Sequence, residues 1–255
     1  MNELDSRILY CDGACVVVNK IAGEAAEGAR AGMVDLPRQL AAVLADADWP
    51  LAPDALAVPV AAHRLDVPVS GCVVFARTNA ALGALNAAFA GGEVEKHYWA
   101  IVEMPGDGGR QWQDGVQEFV HWIEFDSRRN KSIAHDEPGP GRKKAVLRCR
   151  QVGSGERYLF LDVEPVTGRH HQIRAQLQRL GLHVKGDLKY GARRSEKAGG
   201  IRLHARSLAF PDPSDSSKRI AVIAPPPLGA PPVGGESLPD NLWQAFERAS
   251  VLTEH

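Results

Sequence analysis

Short apolar segments with the character of β-strands, separated by glycine- and proline-rich turns, constrain the fold of this chain more than any other feature of its sequence. Residues 7–20 predict two strands around a turn at Asp12-Gly13. Further strands are predicted over residues 71–77, 94–103, 116–125 and 201–210, with a hairpin over 144–152 and 157–165. The few predicted helices do not alternate regularly with these strands. The pattern therefore favours an α+β fold with a mixed, mainly antiparallel sheet.

Four segments with helical spacing or helix-end signals lie between and after the strands. They cover residues 36–48, 79–90, 169–180 and 240–249. Thr78 is predicted to cap the second helix and Thr167 the third, and glycines follow both helices. Residues 21–35 are predicted to be loop. Residues 211–255 are predicted to form a proline-rich, extended return and the short C-terminal helix. Because no internal repeat divides the chain, we expect one domain over residues 1–255.

The composition is that of an ordinary globular protein, with 44% hydrophobic and 24% charged residues over 255 positions. No apolar run approaches the roughly 18–20 residues that cross a membrane. Residues 1–5 lack the basic and apolar regions of a signal peptide. We therefore expect a cytoplasmic protein without a membrane partner. The four cysteines form no CxxC pair, so we expect buried thiols; Cys11 and Cys15 could be half of a metal site, but no second pair follows.

Charge is distributed unevenly along the chain, although the formal net charge is only −1. Residues 127–206 contain 19 lysines and arginines against seven acidic residues. Such a basic segment can form a face for a polyanion such as nucleic acid. It can equally pair with the acidic remainder of the chain within the fold, and charge alone does not choose between these interpretations.

The stretch His63-Arg64-Leu65-Asp66 places a carboxylate directly after a short apolar run and before Gly71. Reactive groups commonly lie at such positions on a rigid scaffold. A carboxylate there can act as a nucleophile, as a general acid or base, or as a metal ligand. It can also simply organise a turn, since Pro68 and Ser70 are close by. The tetrapeptide alone does not distinguish these roles.

A second polar group, Thr167-Gly168-Arg169-His170-His171-Gln172-Ile173-Arg174, lies at the predicted start of a helix. Helical spacing would place His171 and Arg174 on one face. The segment is thus a helix start rich in donors for phosphate, with Arg169 and His171 as candidate substrate contacts. Metal binding by His170, His171 and His183 is the alternative. Adjacent histidines diverge on a helix and no carboxylate lies at ligand spacing, so we predict no metal site.

Tyr98 follows Lys96 on a predicted strand, where it is either a half-buried sheet tyrosine or an aromatic that stacks on a ligand. Together with Asp66, several arginines and the basic segment, it completes an inventory suited to a nucleotide in RNA. Such a nucleotide must be extruded and stacked while cations hold its phosphates. These residues indicate action on a nucleic acid and leave the reaction open.

Five blocks, in order, resemble those of the RluA-type pseudouridine synthases between residues 7 and 211. The blocks are Ile8-Leu9-Tyr10 with Val16-Val17-Val18-Asn19-Lys20; His63-Arg64-Leu65-Asp66 with Ser70-Gly71 and Phe75-Ala76-Arg77-Thr78; Val94-Glu95-Lys96-His97-Tyr98-Trp99-Ala100; the second polar group with Gly186-Asp187 and Tyr190-Gly191; and Leu203-His204-Ala205 with Leu208 and Phe210. The chain is therefore similar to a family of RNA-modifying isomerases.

The resemblance implies a role for each of three candidate catalytic residues. Asp66 would be the essential carboxylate, which attacks ribose C1′ of a flipped uridine or assists cleavage of the glycosidic bond through a glycal. Uracil would then rotate and rejoin through C5. Tyr98 would stack on the base and assist loss of the C5 proton. Arg174 would pair with Asp66 and keep that carboxylate ionised and oriented.

The resemblance also implies substrate contacts by Arg64, which would fill the gap left by the flipped nucleotide, and by Leu203, which would pack against the base. It implies a sheet bent around a central catalytic cleft, with Asp66 on the floor and residues 127–206 along one side. It implies no metal and no cofactor, because an isomerisation needs no redox step. We expect a monomer that binds tRNA or large-subunit rRNA without a separate N-terminal RNA-binding module.

Three positions depart from the family's pattern. Ile21 stands where proline is usual, Gly181-Leu182-His183 where Gly-His-Pro is common, and His170 where threonine or serine is usual. None removes a catalytic group, so the sequence predicts an active pseudouridine synthase. The alternative is a catalytically silent RNA-binding or RNA-folding protein on the same scaffold. A glycosidase-like hydrolase would need a second carboxylate, which the motifs do not offer.

Overall fold

The structure, a computed structural model, describes residues 3–29, 34–46, 49–104, 115–197, 199–227 and 241–252. Its strands are β1 (Ile8–Cys11), β2 (Cys15–Lys20), β3 (Glu24–Ala25), β4 (Val34–Asp35), β5 (Val60–Ala61), β6 (Ser70–Ala76), β7 (Glu95–Glu103), β8 (Gln117–Asp126), β9 (Lys131–His135), β10 (Lys143–Ser154), β11 (Tyr158–Pro165), β12 (His183–Val184), β13 (Leu203–Asp212) and β14 (Asp215–Ile223). Its α-helices are α1 (Leu36–Asp46), α2 (Asn79–Gly91), α3 (Gln172–Arg179) and α4 (Asn241–Leu252).

The strand pairings are mainly antiparallel, and the short strands β3 and β4 pair in parallel. The predicted α+β fold with a mixed, mainly antiparallel sheet is therefore confirmed. Within the described ranges, no helix combines the length and apolar character needed to cross a bilayer. By its contacts the chain divides into two compact units, Met1–Lys96 with Ala205–Pro226 and His97–His204 with Pro227–His255. The single catalytic domain and the central cleft stay predictions.

The first unit is built on a sheet in which β2 pairs with β1 and β6, and β6 with β13. The predicted turn at Asp12-Gly13 joins β1 and β2, and the Asp12 carboxylate fixes it by accepting bonds from the N–H groups of Ala14 and Cys15. Side chains from β2, β6, β13 and β14 pack with α2 in one apolar core. That core includes Val17, Val74, Leu85, Phe210 and Val222.

The caps predicted for α2 are confirmed. The Thr78 hydroxyl accepts a hydrogen bond from the Ala81 N–H at 3.1 Å, and Gly92 ends the helix in the left-handed conformation with φ +76°. At the start of β6, Gly71 has φ +116°, and a Cβ there would lie 2.3 Å from the carbonyl oxygen of Ala205. Only glycine permits this close approach of two backbones directly after the Asp66 loop.

The second unit contains the strand order β7-β11-β10-β8-β9, with β12 also paired to β7. Helix α3 packs against β8, β9 and β10, and α4 packs against β10. The predicted C-terminal helix is confirmed over its described residues, and its apolar face closes the core. Trp243 and Phe246 are buried, and the Phe246 ring stacks on Trp99 with centroids 4.5 Å apart.

Several strands differ from the sequence predictions. Strands β3 and β4 lie in residues 21–35, which were predicted to be loop, and β5, β9 and β12 were not predicted at all. Strand β14 lies in the predicted proline-rich return, where it pairs with β13. Most of these strands are short and lack the apolar runs on which the predictions depended, whereas β14 begins with polar and charged residues and ends in the apolar run 220–223. Residues 30–33, 47–48 and 228–240, which include parts of the predicted loop, first helix and return, lie outside the described residues.

The third helix also begins later than predicted. Residues 169–171 precede it, and His171 occupies the N-cap position with a left-handed backbone, φ +49°. The prediction that Thr167 caps this helix is therefore wrong. The Thr167 hydroxyl instead accepts a bond from the Val146 N–H and donates one to Oε1 of Gln172. Thr167 thus ties the segment before the helix to β10.

Candidate active site

Asp66 lies half-buried in the first unit, at the first position of a turn between β5 and β6. The N–H of Val69 donates to the carbonyl oxygen of Asp66 at 2.9 Å, which closes the turn. The N–H of Gly23 donates to the carbonyl oxygen of Val67 at 2.8 Å. The loop that carries the candidate carboxylate is therefore fixed through its main chain.

Lys20, the last residue of β2, lies beneath this loop and is fully buried. Its ammonium group donates to three backbone carbonyl oxygens: those of Val69 at 2.7 Å, Ile21 at 3.0 Å and Val67 at 3.2 Å. Two of these carbonyls belong to the Asp66 loop. A compact ammonium with three donors is suited to gathering carbonyls in this way, so one side chain organises the loop.

The burial of Lys20 has an electrostatic consequence. Burial lowers the pKa of its ammonium group from 10.5 to about 8, although the carboxylates of Glu24 and Asp66 act in the opposite direction. Glu24 is itself buried and is bound at both oxygens by the guanidinium of Arg7, at 2.8 and 2.9 Å. The region around Asp66 thus contains the buried ammonium of Lys20 and the pair between the buried Glu24 and the partly buried Arg7.

His63 lies in the segment between β5 and Asp66, and two contacts hold its ring in place. Its Nε2 accepts a hydrogen bond from the N–H of Val74 at 3.2 Å, and its ring stacks on Phe89 with centroids 4.8 Å apart. Burial, aided by the charge of Lys96, lowers the pKa of His63 to about 3. The ring is therefore neutral at physiological pH, which its acceptor role requires. Arg64 in contrast is exposed and lies 3.6 Å from the Glu27 carboxylate.

Arg174 is buried in the second unit, within helix α3. Its Nε and Nη2 donate to the two carboxylate oxygens of Asp187, at 2.6 and 2.8 Å, and Asp187 is also buried. The guanidinium carbon lies 4.7 Å from the centroid of the Tyr190 ring. This two-point pair fixes the plane of the guanidinium. The predicted pair between Arg174 and Asp66 would join the two units and stays a prediction.

Tyr190 connects Arg174 to the residues before the helix. The Tyr190 hydroxyl accepts a bond from the Ser132 N–H at 2.9 Å and lies 2.9 Å from Nδ1 of His171. The rings of His170 and His171 stack with centroids 3.8 Å apart. The prediction that these rings diverge is wrong, because it assumed a helix at residues where His171 is left-handed.

The other candidate site residues of the second unit are the predicted catalytic Tyr98 and the predicted substrate contacts Arg169, His171 and Leu203. Arg169 is exposed, and its Nε donates to the carbonyl oxygen of Lys144 at 3.0 Å. Tyr98 is half-buried on β7 opposite Val163, and Leu203 is buried at the start of β13. The roles predicted for these residues and for the buried His171 stay predictions.

Sequence reasoning assigned no role to Lys20, Asp187 or Tyr190, although all three lie within the blocks that carried the resemblance. A lysine at the end of a strand that begins with four buried apolar residues was the available signal for Lys20. No spacing rule connects Asp187 to Arg174, because helix α3 and the turn after it bring them together across 13 positions.

Three of the four cysteines lie in the interior of the protein. Cys15, Cys72 and Cys149 are buried, as predicted, and Cys11 is half-buried. Burial raises the pKa of the Cys72 thiol to about 12. In the part of the chain that the structure describes, no three histidine, cysteine, aspartate or glutamate side chains are grouped as metal ligands.

Comparison with known proteins assigns the family. A family model described as RNA pseudouridylate synthase matches residues 15–179. An uncharacterised RNA pseudouridine synthase of Zymomonas mobilis is 30% identical over 210 residues, covering 82% of this chain and 89% of that protein. The ribosomal large subunit pseudouridine synthase C of Vibrio parahaemolyticus is 27% identical, covering 84% of this chain and 64% of that protein.

Two further likenesses agree with this assignment. The tRNA pseudouridine synthase C of Vibrio parahaemolyticus is 28% identical, covering 59% of this chain and 65% of that protein. The solved structure of human RNA pseudouridylate synthase domain containing 1 superimposes with a TM-score of 0.65 at 24% identity, over 94% of both chains, which supports the fold. On the extent of the family match and the identity to the Zymomonas protein, the chain belongs to the RNA pseudouridylate synthase family, and it is an isomerase of that family.

Proposed function

We propose that this chain converts specific uridines of a tRNA or of large-subunit rRNA to pseudouridine, with Asp66 as the essential carboxylate. The observation that carries the proposal is the construction of the Asp66 loop. The buried ammonium of Lys20 binds the carbonyls of Val67 and Val69, and the Asp66 residue itself stays half-exposed. A rigid main chain beneath an accessible carboxylate is what a catalytic group requires.

The proposed reaction breaks one bond and forms another on the same nucleotide. The bond between ribose C1′ and uracil N1 breaks, the base rotates, and a bond forms between C1′ and C5. The proton on C5 leaves and N1 gains one, so no electrons are exchanged with a cofactor. Asp66 either attacks C1′ directly or assists bond cleavage through a glycal. The uridine must leave its stack before any of these steps, as in other base-modifying enzymes.

Arg174 is proposed to hold Asp66 ionised and oriented. The bidentate pair with Asp187 engages Nε and Nη2 of Arg174 and fixes the plane of its guanidinium. A guanidinium held in this way offers charge with a defined direction, which favours the ionised form of an adjacent carboxylate.

The remaining roles concern the RNA. Tyr98 is proposed to stack on the flipped base and assist loss of the C5 proton, and Leu203 to pack against the base. Arg64, exposed beside Asp66, is proposed to fill the gap in the RNA. Arg169 and His171 are proposed to help hold the substrate. The relatives' names include both a ribosomal and a tRNA enzyme, so both RNA classes are candidates. We also propose a monomer that works in the cytoplasm.

The test is to incubate the protein with tRNA and rRNA transcripts of its source cell and to map pseudouridine. We expect product from the wild type, none from Asp66→Asn, and wild-type product from the control Asp54→Asn, which alters an exposed aspartate of the same unit. RNA binding without product on any transcript would instead favour the catalytically silent RNA-binding protein. Equal product from Asp66→Asn and wild type would refute the role of Asp66.

A further inference from the structure

Strand β8 carries a row of aromatic and apolar side chains that ends on an exposed phenylalanine. Phe119, His121 and Ile123 alternate along the strand and are buried on the face that α3 covers. Phe125 continues the same row, yet 50% of its surface is exposed. Its cross-strand neighbour is the buried Ser132. A large aromatic ring therefore remains in solvent at the end of a row that is otherwise covered.

His170 completes an aromatic pair with this phenylalanine. The two rings meet edge to face, with centroids 4.6 Å apart and planes at 69°. His170 is exposed as well. The Ser132 hydroxyl lies 3.0 Å from Nδ1 of His170 and donates to its carbonyl oxygen at 2.6 Å. Since the backbone and ring of His170 are both fixed, the exposed pair is organised in advance of any ligand.

Exposed arginines lie close in the chain to both residues of the aromatic pair. The Asp126 carboxylate accepts bonds from the N–H groups of Arg128 and Arg129 and so shapes the turn between β8 and β9. Both arginines are exposed, and the side chain of Arg129 is 78% exposed, with its Nε 3.7 Å from Asp126. The exposed Arg169 directly precedes His170 in the chain. Exposed rings with arginines close to them in the chain match the chemistry of an unpaired nucleotide, a π-face with phosphates beside it.

The aromatic pair is also continuous with the surroundings of Arg174. The His170 ring stacks on His171, Nδ1 of His171 lies 2.9 Å from the Tyr190 hydroxyl, and the Tyr190 ring lies against Arg174. An occupant of the exposed pair would thus lie at the outer end of a packed series whose inner end is a proposed catalytic residue. This placement suits a nucleotide of the same RNA that supplies the uridine.

We propose that Phe125 and His170 form a second nucleotide site, a platform on which an unpaired base of the RNA substrate stacks while Arg128 and Arg129 contact its phosphates. The proposal rests on the proposed function, because it takes RNA to be the substrate. It assigns the site a ligand class, a single-stranded nucleotide, and no base-specific reading, since every base offers a π-face.

The test measures binding of a labelled single-stranded oligouridylate and of a blunt RNA duplex by fluorescence anisotropy. We expect Phe125→Ala and Phe125→Leu each to weaken binding of the oligouridylate about tenfold, and Phe125→Trp to retain it. Binding of the duplex should change less than twofold in all three variants, since its bases are not available for stacking. The control is Val120→Ala, on the opposite face of the same strand, which should bind both probes as the wild type does.

The variants separate stacking from packing. Leucine keeps the apolar volume against His170 and lacks a π-face, so wild-type binding by Phe125→Leu would overturn the proposal, as would equal losses for duplex and single strand. Thermal unfolding of each variant shows whether it folds.

Pseudouridine formation by the wild type is measured separately. Product formation with unchanged oligouridylate binding by Phe125→Ala contradicts this proposal alone, whereas a Phe125-dependent platform without any product contradicts only the proposed function.

Discussion

The two regions that carry the candidate catalytic residues hold them by different means. In the first unit, Asp66 lies on a loop whose main-chain carbonyls are gathered by the buried ammonium of Lys20. In the second unit, Arg174 is fixed through its own side chain by both oxygens of Asp187, against the ring of Tyr190. One region positions a residue through its backbone, and the other through a charged side-chain pair.

Because of this difference, we expect the two regions to lose stability under different conditions. The Arg174 region contains a buried ion pair, and loss of one partner leaves a charge unpaired in a low-dielectric environment, which is costly. The arginine does not titrate at any pH that a protein survives. The Asp66 region depends on a lysine whose pKa is already lowered to about 8. We therefore expect the first unit to respond to pH in a range where the Arg174 pair does not.

The largest expected effect is from Asp187→Ala. Because the buried Arg174 would lose the carboxylate that binds its Nε and Nη2, we expect the free energy of unfolding to fall by about 3–5 kcal/mol, measured by urea denaturation. The matched control is Asp136→Ala, which removes a carboxylate that pairs with Arg179 on the surface of the same unit and should change stability little. Similar losses from the two variants would show that the buried pair of Arg174 and Asp187 contributes no more stability than a surface ion pair.

The second prediction concerns the pH dependence of the Lys20 region. Below pH 8 the lysine is protonated in the folded and the unfolded chain, and folding bears the cost of burying its charge. Between pH 8 and 10.5 the unfolded chain still holds the proton that the folded chain has released. The free energy of unfolding of the wild type, relative to Lys20→Met, should therefore rise across this range, by on the order of 3 kcal/mol.

Urea denaturation of both proteins from neutral to alkaline pH measures this rise, and taking their difference removes the titration of other groups. Lys218→Met is the control, because this lysine is 71% exposed and its substitution removes a lysine without removing a buried charge. A difference between wild type and Lys20→Met that stays flat through this range would contradict the burial of a charged Lys20.

The smallest of the three effects is expected from Tyr190→Phe, which keeps the ring against Arg174 and removes only the hydroxyl. The buried N–H of Ser132 then loses its acceptor, so we expect a loss of about 1–2 kcal/mol in the free energy of unfolding. Tyr158→Phe, a half-buried tyrosine on β11, serves as the control. If Tyr190→Phe were as stable as the wild type, the hydrogen bonds of the Tyr190 hydroxyl would not contribute to the stability of the region around Arg174.

The sequence predicted those parts of the fold in which local signals agree. The turn at Asp12-Gly13 and the caps of α2 follow from residues that satisfy backbone groups within a few positions. The predicted start of α3 was wrong. The hydrogen-bond donors and histidines of residues 167–171 resemble the first turn of a helix, whereas the N-cap is His171 in a left-handed conformation. Strand β14 was missed because the prolines on either side indicated an extended return, whereas its apolar end at residues 220–223 and its polar start both pair with β13.

The sequence motifs predicted the candidate catalytic residues, but they did not predict the contacts that hold those residues in place. Asp66, Tyr98 and Arg174 could be named because they lie in recognisable blocks. The contacts that hold them depend on tertiary structure: Lys20 reaches carbonyls 47 and 49 positions away, and Ser132 reaches His170 across 38 positions. No local pattern encodes such distances, so Lys20, Ser132 and Asp187 acquire roles only from the structure.

The most direct test of the central claim is release of tritium from RNA that carries [5-³H]uridine, since the C5 hydrogen is lost only when the base rejoins through C5. Single-turnover rates should be compared for the wild type, Asp66→Asn and the control Asp54→Asn, on a transcript that the wild type modifies. We expect Asp66→Asn to release tritium at least about a thousandfold more slowly than the wild type and Asp54→Asn to match the wild type. Release by Asp66→Asn at the wild-type rate would contradict the role of Asp66 as the essential carboxylate.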